Sequence, residues 1–167
     1  MRLYKSLFGL IAGLMIAFAS LTPQTTDASP QYTATHRSSA MTDLVTAIGG
    51  TGFLMILSGA QPATVATVDA GTVLVVMALS ATPGTVSAGV LTFNAITSTA
   101  ASATGTAGHF LICTSSVTAT CVAVTSSTRI IQGAVGTSGS DINFSTVAFT
   151  SGTTISVSSM TITANGA

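Results

Sequence analysis

Charge is what this chain lacks most: 5% of its 167 residues are charged, there is no glutamate, and Lys5 is the only lysine. A soluble domain carries about 25% charged residues. A formal net charge of zero excludes the clustered cations that bind a phosphate backbone, so no nucleic-acid partner is expected. At 167 residues the chain is long enough for one domain with a real core. Low charge does not imply disorder here, because Val, Ile, Thr and Phe are abundant and disordered chains are poor in such residues. Hydroxyls and glycines must therefore form much of the exterior, and a near-neutral surface of that kind favours association. Homo-oligomerisation and assembly with other structural proteins are the expected partnerships.

The amino terminus differs in kind. Arg2 and Lys5 precede an apolar run over 7–18, and Ala17-Phe18-Ala19 places small residues where a signal peptidase reads them. The reading is a signal peptide over 1–19 and a flexible leader over 20–38 containing Pro23 and Pro30, with a second cleavage site after Ala28 as the alternative. The run falls short of the roughly 20 residues a spanning helix needs, so no stable membrane anchor is expected. Cleavage after Ala19 leaves Arg37 and Arg129 against Asp27, Asp43, Asp69 and Asp141, a net charge of −2.

Residues 39–167 are expected to form one domain. Met41, Leu44, Val45 and Ile48 fall on one face of a helix over 39–48, with Ser38 or Ser39 as cap, Asp43 in the first turn and Gly49-Gly50 as the stop. Short β-type segments follow at 52–57, 72–79, 90–97, 109–114, 121–125, 129–135, 142–144, 147–150 and 153–163, the last with a change of phase near Ser158-Ser159 that predicts a bulge. Turn-like stretches at 58–62, 82–84, 104–106 and 136–139 separate them, and 98–107 reads as a loop or weak edge. Many short strands at this spacing predict an all-β fold, an antiparallel, jelly-roll-like β-sandwich preceded by one short amphipathic helix.

The inventory for chemistry is small: His36, His109, four aspartates and two cysteines. No spacing matches a metal site, and neither a cofactor nor catalytic residues are expected. His109 with the distant Asp141 allows a Ser-His-Asp arrangement on paper, yet no G-x-S-x-G elbow accompanies it. The pair Asp141 and Asn143 offers too few oxygens for a calcium cage, and the glycines of 136–141 lack the lysine of a phosphate loop. Cys113 and Cys121 flank the stretch TSSVTAT symmetrically. If that stretch is a hairpin loop, the two face each other within disulfide reach; the alternative is two buried thiols acting as small apolar residues.

The order of the pieces AMTDLVTAIG, FLMILSGAQPA, GTVLVVMALS, AGVLTFNAIT, SATGTAGHFLI and IIQGAVGTSGSDINFSTVAFTSGTTISVSSMTIT resembles a family of small structural proteins of tailed bacteriophages and prophages, from about Ser38 onward. The resemblance implies a virion component without enzymatic activity, a head decoration or a tail-associated protein. The chain departs from that pattern in two places. A stretch between Ile112 and Arg129 holds both cysteines where the family has a tighter hairpin, and the signal-like leader does not suit assembly in the cytoplasm. The alternatives are a true start at Met41 or use of the fold as a secreted surface or appendage subunit.

Overall fold

The computed structural model describes residues 31–114, 121–123 and 128–164. The first element, α1, spans Ala34–Ile48, five residues earlier than the sequence pattern predicts. Thr33 is the reason: its side chain accepts from the His36 backbone N–H at 3.4 Å, and its hydroxyl meets His36 Nδ1 at 2.8 Å, so capping falls there and not at Ser38 or Ser39. Residues 34–38, expected in the flexible leader, thus belong to α1; the signal-like segment lies outside the described residues. At the other end Gly49 takes φ 63°, and its N–H bonds the Val45 carbonyl. Met41, Leu44, Val45 and Ile48 pack into the core. On the outer face Ser39, Thr42 and Thr46 return their hydroxyls to carbonyls four residues back, at 3.1, 2.9 and 3.0 Å. These exposed hydroxyls thus satisfy their polar groups on the helix's own backbone.

Beyond a short 3₁₀ turn, Gly49–Thr51, come β1 (Phe53–Ser58), β2 (Val73–Ala78), β3 (Gly84–Ser87), β4 (Val90–Phe93), β5 (Thr99–Ala100) and β6 (Gly105–Cys113). The chain continues with β7 (Arg129–Gly136), β8 (Ile142–Asn143), β9 (Ala148–Phe149), β10 (Thr154–Ile155) and β11 (Thr161–Thr163). The main sheet runs β2-β1-β6-β7-β8, with β9 also on β6; β11-β4-β3 form a second sheet and β10-β5 a third. An all-β class with one helix therefore describes the body. The purely antiparallel sandwich does not, because β8 joins β7 in parallel through Val135 and Gly136. The glycine-rich turn of 137–140 carries the chain back along β7 before it pairs, so the main sheet is mixed.

Several segments differ from the sequence pattern for local reasons. The segment 82–84 reads as a turn, yet Gly84 begins β3 opposite Phe93. The β3–β4 reversal falls at Ala88 and Gly89, both at positive φ (50° and 82°), the backbone of a two-residue hairpin turn. The low-complexity stretch 98–107 contributes β5 and the start of β6. The long expected strand 153–163 is cut into β10 and β11, and the interruption includes Ser158-Ser159. No strand forms at Cys121, and residues 124 and 125 of that expected segment lie outside the described residues.

Register decides which face each side chain covers. Leu54 and Ile56 of β1 stand beside Met77 and Val75 of β2 and beside Ile112 and Phe110 of β6. This face meets β4, β9, β10 and α1 in the larger core with Leu91, Phe149, Ile155, Met160 and Ile48. Burying a Leu, Ile or Phe side chain stabilises by about 1.5–3 kcal/mol each, so this layer dominates the fold. The opposite face carries Met55, Leu57, Leu111 and Cys113, which with Cys121 form a second, smaller core. Among the described residues that side is covered by the β1–β2 connection and by Cys121 and Val122, which are helical.

Candidate functional site

Those segments enclose the ionisable groups that the body buries. Among the described residues the charged side chains are Arg37, Asp43, Asp69, Arg129 and Asp141, and Asp69 and Arg129 are buried together with His109. A chain so poor in charge has placed two of these five where desolvation costs most.

His109 leaves the centre of β6 on the second-core face, opposite Leu57 and Ala134. Its Nε2 meets Asp69 Oδ2 at 2.7 Å and its Nδ1 meets the Gly59 carbonyl at 3.1 Å. A carbonyl only accepts, so Nδ1 carries a proton. Nε2 and Asp69 then share the remaining proton between them. Asp69 Oδ1 accepts from the Gly71 N–H at 2.8 Å, the Asx turn expected where an aspartate precedes Ala-Gly, and the Asp69 N–H donates to the Val122 carbonyl at 3.1 Å.

Arg129, the first residue of β7, lies beyond. Its Nε donates to the Cys121 carbonyl at 3.1 Å, Nη1 to the carbonyls of Val65 and Thr67 at 3.1 and 2.7 Å, and Nη2 to that of Val122 at 3.0 Å. One planar guanidinium thus ties four backbone acceptors from two loops, which a point-like ammonium could not do. Cys113 and Cys121 are joined by a disulfide, with Cα atoms 6.1 Å apart. The strand partner of Cys113 is Arg129, so the two sulfurs do not meet across a hairpin. Cys121 instead folds back over the end of β6, and its carbonyl is one of the four that hold the guanidinium. Gln132 adds a last tie, Nε2 to the Pro62 carbonyl at 2.7 Å, while its Oε1 is buried without a partner.

Glycines make the close packing sterically feasible. A Cβ on Gly108 would collide with the Gly59 carbonyl, and one on Gly71 would collide with the Ser58 carbonyl and meet Asp69 Oδ1 at 3.0 Å and His109 Cε1 at 3.1 Å. Gly71→Ala is expected to destabilise by about 1–3 kcal/mol and to speed exchange of the His109 ring N–H protons. Thermal melting and imidazole proton spectra check both, and an unchanged exchange rate would contradict this geometry.

The remaining sequence candidates lie elsewhere. Asp141 does not approach His109: its Oδ2 accepts from the Ala134 N–H at 2.8 Å on the outer edge of β7. Asn143 closes a local ring with Ser140, its amide accepting from the Ser140 N–H at 3.1 Å and donating to the Ser140 carbonyl at 2.8 Å, so it is committed to a turn. His36 serves the cap of α1. Among the described residues no group of three His, Cys, Asp or Glu side chains could hold a metal ion, and no helix is long and apolar enough to cross a membrane. Asp69 and Arg129 are the residues the sequence reading missed; the signal available was the DAG turn and a lone arginine at a strand start.

Chemically, the cluster has little left to offer a substrate. Both imidazole nitrogens, both Asp69 oxygens and three guanidinium nitrogens are engaged by the protein itself. What the arrangement does is fasten two loops to a sheet face. No protein-family model, curated protein or solved structure matches the chain.

Proposed function

We propose that the chain is a non-enzymatic structural subunit, a virion protein of a tailed phage or prophage that decorates the head or joins the tail. The observation that supports the non-enzymatic part is the saturation of the Asp69–His109–Arg129 cluster. A general base needs a free lone pair within reach of its proton, and His109 spends both nitrogens on Gly59 and Asp69. Assembly is supported by the exterior, whose charged side chains among the described residues are Arg37, Asp43 and Asp141. In this reading the main sheet and the β11-β4-β3 sheet serve as the layers of a sandwich, and neutral hydroxylated faces meet neighbouring subunits. The virion assignment follows the ordered resemblance of its segments.

One observation favours a second reading, a secreted bacterial surface or appendage subunit of the same fold. The Cys113–Cys121 disulfide suits an oxidising compartment, as does the signal-like leader. Mass spectrometry of purified virions and of the extracellular fraction separates the two. Peptides from residues 53–167 in virions are the expected result. Their absence there, together with an extracellular product beginning at Ser20, would overturn the virion reading in favour of export. Sedimentation is expected to show concentration-dependent self-association, and a strict monomer at high concentration would count against both.

A further inference from the structure

Two strand edges, those of β11 and β7, flank an open trough. On β11 the Met160 carbonyl accepts from the Phe93 N–H at 3.0 Å, and the Ala164 N–H donates to the Gly89 carbonyl at 2.9 Å. Successive residues of a strand aim their backbone groups to opposite sides, so those of Thr161 and Thr163 point away from β4, the one strand that β11 pairs with. On β7 the Ala134 N–H goes outward to Asp141, and the Gly136 carbonyl accepts from the Phe144 N–H at 2.9 Å. By the same alternation Gln132 also presents its N–H and carbonyl outward, and β8 reaches only Val135 and Gly136.

The hollow between these edges is lined by Gln132, Thr161 and Thr163, with Phe110, Ile131, Met160 and Ile162 beneath and Asp141 at the rim; its volume is about 370 Å³. That lies within the range of about 300–1,000 Å³ typical of ligand clefts. The far edge of the main sheet is treated differently: Leu74 and Ala78 of β2 have their carbonyls taken by the N–H groups of Ser102 and Thr97. Unpaired edges are ordinarily covered or charged to prevent pairing with other chains. Only Asp141 plays that part here, and it blocks a single N–H.

We propose that this trough is a strand-addition site for an extended peptide segment of a partner protein, with alternating apolar side chains and one Lys or Arg beside Asp141. Main-chain pairing to Gln132 on one wall and to Thr161 and Thr163 on the other holds the peptide, as in other edge-augmentation modes. Every second side chain turns down onto Ile131, Met160 and Ile162. Charge sets the class of partner: among the described residues Asp141 is the only charged side chain lining the trough, so an acidic segment is disfavoured and a single cation is matched. The site follows from the two edges and holds whether or not the chain is a virion or surface subunit.

The test uses the full chain and a fluorescein-labelled hexapeptide of alternating Val and Thr with one central Lys, read by fluorescence anisotropy. Saturable binding is expected. Thr163→Pro removes an outward N–H while sparing the bonds to β4, and should weaken binding about tenfold; circular dichroism verifies that the variant folds. Asp141→Asn should weaken the Lys peptide about threefold to tenfold and leave a norleucine version unchanged. A backbone N-methylated peptide with the same side chains should not bind. The proposal is overturned by the absence of saturation up to roughly millimolar peptide, by equal binding of the N-methylated peptide, or by a folded Thr163→Pro variant that binds like the parent. It is also overturned if the peptide is excluded because a second copy of the chain already occupies the trough, seen as a slowly dissociating oligomer.

Discussion

Replacing Arg129 with methionine is expected to lower the stability of the fold by about 3–5 kcal/mol. The residue is 4% exposed, and methionine retains most of its length, so the loss reports on hydrogen bonding more than on a cavity. The carbonyls of Val65, Thr67 and Cys121 lose the guanidinium as donor, and that of Val122 is left with the Asp69 N–H. A domain of this size has only about 5–15 kcal/mol to lose. Urea denaturation gives the number, and thermal melting should fall by roughly 10–20 °C. Arg129→Lys should recover only part of the loss, because one ammonium cannot reach acceptors spread around a planar fork. A loss below about 1 kcal/mol for the methionine variant would mean that water replaces the guanidinium and that the loops are not held by it.

The second large effect belongs to Asp69 and His109, and it is a non-additive one. Asp69→Val leaves a buried imidazole without its partner, and His109→Phe leaves a buried carboxylate with the Gly71 N–H alone; each should cost about 3–5 kcal/mol. The double variant removes both polar groups and fills the site with apolar atoms, so it should cost clearly less than the two singles together, with a coupling of roughly 2 kcal/mol or more. A double-mutant cycle in urea measures this directly. Strict additivity would show that the two side chains are stabilised separately and that their 2.7 Å contact contributes little.

How far the sequence discloses this body depends on the range of the interaction that settles each feature. The face of α1 is legible because Leu44, Val45 and Ile48 repeat within one helix, and its stop is legible because Gly49 and Gly50 are local. Its start is not, because Ala34–Ser38 shows no apolar periodicity and the Thr33 cap is a single hydroxyl among many. Strand β3 hides behind Pro83-Gly84, whose turn character is real in isolation and is overridden by pairing with Phe93. The cluster was the least legible part. Asp69 announces its own turn through Gly71, but its second partner lies forty residues further on, at the centre of another strand. In the sequence Arg129 is only a lone cation at the start of the 129–135 segment, and it is the fold-back of Cys121 and the approach of Val65 and Thr67 that turn that position into an interior one. Charge scarcity reads from composition; where the few charges are spent does not.

The strand order has a consequence for the timing of synthesis. β1 sits between β2 and β6, and its register with β6 joins Phe53 to Cys113 and Ile56 to Phe110. A ribosome adding about 5–20 residues per second needs roughly 3–10 s to travel from the end of β1 to the end of β6. Through that interval the FLMILS and VLVVMA strands form a hairpin with one flank unmatched and no charged side chain in either strand to discourage pairing with a neighbouring nascent chain. The central strand of the sheet is thus made long before the strand that completes it, and its open flank is exposed for the whole of that wait.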